Sequence, residues 1–187
     1  MSRRRPVIPR RRPIFLGCEG ESEQGYGQFL NDLAREADLH VHIEVVNLSP
    51  GAGDPVSRMQ RARKEVEHRQ RSRVEFDLKA ALLDSDQIGN DPQRREMAEI
   101  IARESGIDII WQSPCHEALL LRHFEGFEHR RPATKAEIAT MLRQVWPSYQ
   151  KPMTRLQLGK TLGLAHVRRA GQSEPALLAF LRRISIL

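Results

Sequence analysis

At 187 residues, with 40% hydrophobic and 29% charged side chains, the chain has the size and composition of one globular domain with a substantial core. Aromatic residues reach only 5%, which argues against a recognition surface built on base stacking. The net charge of +6 is carried mostly by arginine, whose planar fork suits phosphate, although solubility alone would also account for so modest an excess. Cys18 and Cys115 follow no zinc spacing, are too few for a disulfide framework, and read as small buried side chains. No apolar run approaches the roughly 20 residues that span a bilayer. The arginine-rich start lacks the apolar stretch of a secretion signal, so the expected location is the cytoplasm.

In chain order, residues 1–12 read as a basic flexible arm and residues 13–187 as a single domain. Residues 14–18 form a short apolar run expected to be a fully buried strand. Gly17 and Gly20 flank a tight turn, and residues 24–37 predict a helix with Phe29, Leu30, Leu33 and Ala37 on its inner face. A second strand is expected over residues 41–48, where Val41, Ile43 and Val45 alternate with His42 and Glu44. S-P-G-A-G-D-P is a loop by its turn chemistry; Asp54 caps the next helix and Pro55 takes its first position. That helix, reaching residue 72, is densely charged and reads as a solvated face over a thin apolar stripe.

A third strand is expected over residues 79–83, directly before Asp84-Ser85-Asp86. Asp91 and Pro92 repeat the start signal for a helix to Ser105, closed by Gly106. Residues 107–111 predict a fourth strand, followed by a loop that opens another helix within residues 113–124. The last part, from residue 133, is helical: 135–145, 154–162 with an optional extension to 169, and 174–186. Strands alternating with helices predict an α/β, Rossmann-like fold, its mostly parallel sheet of about four strands covered on both faces.

Two acidic clusters stand where strands end: Glu19, Glu21 and Glu23 after the first, Asp84 and Asp86 after the third. Carboxyl ends of neighbouring parallel strands converge on one crevice, so these side chains are expected to meet there. With 65 residues between Glu19 and Asp84, two βα units of about 30 residues fit. Strand alternation would point Asp84 and Asp86 the same way, with Ser85 opposite. Clustered carboxylates repel unless a cation neutralises them, and an all-oxygen set suits a hard ion such as magnesium. Taken singly, an acidic residue after a strand is more often a solvated loop or a helix cap.

The order of these motifs resembles the Toprim domain, found in topoisomerases, bacterial primases and nucleases of the overcoming-lysogenization-defect group. Within it, the chain looks like the RloB-like branch. The residues that carry the resemblance are C-E-G-E at Cys18 to Glu21 with Glu23 nearby, then Gly51-Ala52-Gly53-Asp54-Pro55, then Asp84-Ser85-Asp86. They continue with Ser113-Pro114-Cys115-His116-Glu117 and the leucines after it to Phe124, and end with Tyr149-Gln150-Lys151. An asparagine expected between Ser113 and Pro114 is missing, His116 replaces an aromatic, and Ala118 stands where an aromatic would pack.

The resemblance implies a nuclease hydrolysing nucleic-acid phosphodiester bonds, DNA or RNA, with two magnesium or manganese ions, in bacterial defence beside a separately encoded ATPase. Paired metals about 4 Å apart stabilise both attacking and leaving oxygens of an in-line displacement. By the same resemblance Asp84 and Asp86 are metal ligands, Glu19 is a ligand or the general acid/base, and Glu23 and Glu117 are candidate second-site ligands. Lys151 would steady charge on the phosphorane or leaving oxygen. Glu21 reads as solvated, Tyr149 as packing, and His116 as structural rather than substrate-touching. Arg3, Arg4, Arg5, Arg10, Arg11 and Arg12 are expected to bind nucleic-acid backbone by counterion release, or else to serve as a solubilising tail. A homo-oligomer is left open. The competing expectation is a non-catalytic subunit that binds nucleic acid or regulates an ATPase.

Overall fold

The computed structural model describes residues 11–49, 53–88 and 91–187. Four strands, β1 (Arg12–Cys18), β2 (Val41–Asn47), β3 (Leu78–Asp84) and β4 (Asp108–Gln112), form one all-parallel sheet in the order β2-β1-β3-β4. The connecting helices are α1 (Glu21–Glu36), α2 (Pro55–Arg71) and α3 (Pro92–Ser105). After β4 come α4 (His116–Leu121), α5 (Lys135–Val145), α6 (Arg155–Thr161), α7 (Leu164–Ser173) and α8 (Pro175–Arg183). This is an α/β, Rossmann-like architecture with a helical C-terminal part. Among the described residues no helix is long and apolar enough to cross a membrane.

Strand alternation divides the core between the two faces of the sheet. Ile14, Leu16, Cys18, Ala80 and Leu82 pack with α1 and with residues of the C-terminal helices such as Leu142, Leu158, Val167 and Leu181. Phe15, Ala81 and Leu83 pack on the other face with Met59 and Ala62 of α2 and Ala98 and Ala102 of α3. Both faces are therefore covered, and both cysteines are buried and free. Because α1 shares its core with α5 to α8, the C-terminal part belongs to the same hydrophobic unit as the sheet.

The caps read from sequence are present. Asp54 accepts from the N–H groups of Val56 and Ser57, Asp91 from those of Gln93 and Arg94, and Gly106 closes α3 in the left-handed conformation. Four expectations change. Helix α1 begins at Glu21 rather than residue 24, which puts Glu21 and Glu23 in its first turn. Strand β1 begins at Arg12, whose N–H donates to the His40 carbonyl, so the arm's last residue is part of the sheet. Asp86 opens a short 3-10 turn, Asp86–Ile88, so strand alternation does not relate it to Asp84. The helix expected over residues 154–162 ends there as α6, and its optional extension toward 169 is not taken: the chain breaks at Gly163 and α7 is a separate element.

Candidate functional site

From β1 the chain crosses to β2 on one side, and from β3 to β4 on the other, so the winding reverses between β1 and β3. Beyond the carboxyl ends of two such strands the connections diverge and leave a crevice. Glu19 follows β1 and Asp84 ends β3, one on each side of that point. A hydrogen bond ties them: the Asp84 N–H donates to Glu19 Oε2 at 2.8 Å. The other Glu19 oxygen pairs with Arg58 Nη1 at 2.7 Å. Backbone bonds continue the β3–β4 ladder beyond the strands, from Ser85 N–H to the Gln112 carbonyl and from Asp86 N–H to the Pro114 carbonyl, both 3.0 Å. These fix the D-x-D segment beside the loop that leads into α4.

The carboxylates at this rim are poorly solvated. Glu19 and Glu23 are buried. Among the described residues, Asp84 Oδ1 and Asp86 Oδ1 are shut off from solvent with no hydrogen-bond partner. Burial, then the charges of Glu23, Glu19 and Asp86, push the Asp84 carboxyl up to about 8, against the opposing pull of Lys151. Burial likewise raises Glu19, opposed by the Asp84 N–H and by Arg58, and raises Glu23, opposed by N–H groups of Glu23 itself and Gly20 and by Lys151. Asp86 Oδ2 pairs with Lys135 Nζ at 2.5 Å. Glu117, in the first turn of α4, pairs with Lys151 Nζ and accepts from the Tyr149 hydroxyl at 3.3 Å. Tyr149 packs on Trp146, as expected of it, and through Glu117 also joins the polar site.

Beside Asp84 a cleft of about 350 Å³ opens, lined by Asp84, Glu117, Tyr149 and Lys151 and walled by the α5 residues Lys135, Ile138, Ala139 and Arg143. Lys151 reaches it because of a close approach elsewhere. A methyl group added at Gly25 of α1 would lie 2.0 Å from the Met153 carbonyl oxygen, so only glycine lets the segment after Lys151 rest against α1. His116 is buried, shares a 3.0 Å hydrogen bond with Gln112, and is driven down to about 3 by burial. It packs against Tyr26 and is not among the residues that line the cleft. His123 bonds the Tyr26 hydroxyl and the Leu119 carbonyl, each at 3.0 Å.

The structure thus brings Glu19, Glu23, Asp84, Asp86, Glu117 and Lys151 to one rim. Glu21 is exposed in the first turn of α1, as its solvated reading requires. Arg12 sits at the amino end of β1, the opposite end of the sheet, paired with Asp77 at 2.9 Å. Arg11 is exposed just before it, while Arg3, Arg4, Arg5 and Arg10 lie outside the described residues, as do Gly51 and Ala52.

The residues the sequence reading passed over are cations. Arg58 lies in the helix read as a solvated face, yet it is 9% exposed and meets Glu19. Its spacing after Pro55 places it on the buried stripe with Met59, Ala62 and Val66, which was the available signal. Lys135 and Arg143 share one face of α5 with Ile138, at helical spacing.

Among the described residues no three His, Cys, Asp or Glu side chains are grouped at metal-holding spacing. Glu19, Asp86 and Glu117 each turn to a cation of the protein instead. The donor chemistry nonetheless suits a hard divalent ion: every candidate is a carboxylate, and two of the oxygens are buried without a partner.

The family model for RloB-like proteins matches residues 14–174, and the chain belongs to that family. Comparison with curated proteins and with solved structures finds no match.

Proposed function

We propose that the protein is a Toprim-type, metal-dependent nuclease that hydrolyses nucleic-acid phosphodiester bonds, acting in the cytoplasm in bacterial defence beside a separately encoded ATPase. The observation that carries this reading is the pair of strand ends tied by the Glu19–Asp84 hydrogen bond, with a buried, unpartnered oxygen on Asp84. Asp84 and Asp86 would hold one divalent ion, and Glu23 and Glu117 are the donors nearest in kind for a second. Magnesium or manganese, when bound, supplies charge neutralisation for the attacked phosphate and lowers the pKa of water.

The chain's own groups supply the rest. Glu19 is buried, and burial raises its pKa, a direction that favours proton exchange by this carboxyl. Its bond to the Asp84 N–H keeps it fixed against β3. Lys151 acts on Glu23 and Asp84 through its field and pairs with Glu117, and a cation in that position would steady negative charge growing on a phosphoryl group. Incubation with plasmid, single-stranded DNA and transfer RNA, with magnesium or manganese, tests the reading. Cleavage is expected, in the isolated protein or on adding the ATPase, and its survival in Asp84→Ala/Asp86→Ala would overturn the assignment.

One observation favours a second reading. Arg58, Lys135 and Lys151 already neutralise Glu19, Asp86 and Glu117, so mutual repulsion does not by itself demand a metal at those three. A non-catalytic subunit that binds nucleic acid or regulates an ATPase could keep such ion pairs. Magnesium titration calorimetry separates the two: uptake that depends on Asp84 favours the enzyme, and none favours the subunit.

A further inference from the structure

The cleft beside Asp84 is electrically lopsided. Its carboxylates, Asp84 and Glu117, come from the sheet rim and α4, while α5 contributes Lys135 and Arg143. Lys135 is engaged with Asp86, and Lys151 with Glu117. Arg143 is exposed and, among the described residues, makes no hydrogen bond or ion pair. It is the cation of this cleft whose charge is not already answered by the protein.

Spacing gives that charge a direction. Lys135, Ile138, Ala139 and Arg143 follow one another along a single face of α5, so the helix offers a cation at each end of a short apolar stripe. Eight residues of helix separate the two ends by about 12 Å. That is longer than one phosphate group, so a ligand engaging both ends carries more than one phosphate. An arginine fork with nothing bound to it inside the protein is suited to grip two oxygens of such a group.

We propose that Arg143 binds a non-reacting phosphate of a polynucleotide strand, which runs along α5 and brings a neighbouring phosphodiester to Asp84. The inference rests on the reading of this cleft as a nucleic-acid site, and it names the residue that sets the path of the strand. Arg143 lies outside the motifs that carry the family resemblance, so nothing in that resemblance assigns it.

The test reads binding in chelator, where metal-dependent hydrolysis does not occur. Fluorescence anisotropy follows a labelled single-stranded 12-mer, as DNA and as RNA, at several salt concentrations. Arg143→Gln is expected to weaken binding about tenfold and to lower the salt slope by about 0.7, the loss of one single-strand phosphate contact. Arg143→Lys should recover part of the affinity, since a cation remains without the two-oxygen fork. Arg182→Gln removes an equal charge beside Arg183, which pairs with Asp108 at the far end of the sheet, and should stay within twofold of the parent. The proposal is overturned if Arg143→Gln and Arg182→Gln behave alike, or if the parent protein binds neither strand. A protein that cuts nucleic acid yet ignores Arg143→Gln would lose this inference and keep the nuclease reading. Arg143-dependent binding without any cleavage would do the reverse.

Discussion

The two ends of the parallel sheet handle charge in opposite ways. At the amino end, Arg12 pairs with Asp77 and Arg183 with Asp108, one cation to one carboxylate, with side chains about half exposed. Such pairs are well hydrated and worth little. At the carboxyl end, Glu19, Glu23, Asp84, Asp86 and Glu117 gather around three paired cations, and burial raises the pKa of three of the acids. Folding places charge there at a cost in stability that the other end avoids. Clustered, desolvated carboxylates at a topological switch point, with Glu23 and Asp84 making no ion pair among the described residues, are what a binding or catalytic site looks like in physical terms.

The largest difference should appear in activity. Asp84→Ala with Asp86→Ala is expected to lower cleavage by about a thousandfold or more, whereas Asp77→Ala with Asp108→Ala leaves the rate unchanged in the same plasmid assay. Equal losses from both double mutants would erase the contrast between the ends.

Next in size is a contrast of buried with exposed arginine. Arg122 has a fully buried side chain that bonds the Ser113 carbonyl and pairs with Glu174 at 2.7 Å, joining the loop after β4 to the start of α8. Arg122→Ala leaves Glu174 with only its longer contact to Arg131, at 3.3 Å, and should cost about 3 kcal/mol in urea melts. Arg183→Ala, at the exposed end, should cost about 1 kcal/mol or less.

A smaller effect has a sign that discriminates more sharply. The Asp84 carboxyl is raised to about 8 in the fold, far above an unfolded carboxyl, so folding at neutral pH requires taking up a proton. The stability this group contributes is full below the unfolded pKa, near 4, and is lost as pH rises through the folded value. Asp84→Asn should therefore match the parent near pH 4 in chelator and become more stable at higher pH. The gain should grow between pH 4 and pH 8 and level off above that. Asp77→Asn, at the other end, removes only a half-exposed ion pair and should cost about 1 kcal/mol or less.

Smaller in its effect on cleavage than the aspartate pair, yet informative for the site, is Gly25→Ala. The added methyl collides with the Met153 carbonyl and shifts the segment that carries Lys151. Cleavage should fall about tenfold, while Gly53→Ala, which meets nothing within 4 Å, leaves it alone.

Much of this could be read from the chain. Asp54 and Asp91 announced α2 and α3, and the acidic motifs marked the correct ends of β1 and β3. What escaped the reading depends on partners far along the chain. Arg58 reads as one more surface arginine until Glu19 is brought beside it. Asp86 obeys the turn that follows β3 rather than strand alternation, and Gly25 has a purpose only once Met153 rests on α1. Local patterns fix caps and periodicity; which charges meet is decided by the winding of the sheet.

The central claim, that the carboxyl end of this sheet is built for a divalent ion, is tested most directly by anomalous diffraction from manganese-soaked crystals. The account predicts a peak in contact with Asp84 Oδ1 and a second carboxylate of the rim, absent from Asp84→Ala crystals. A peak elsewhere, or none at saturating manganese, would contradict it.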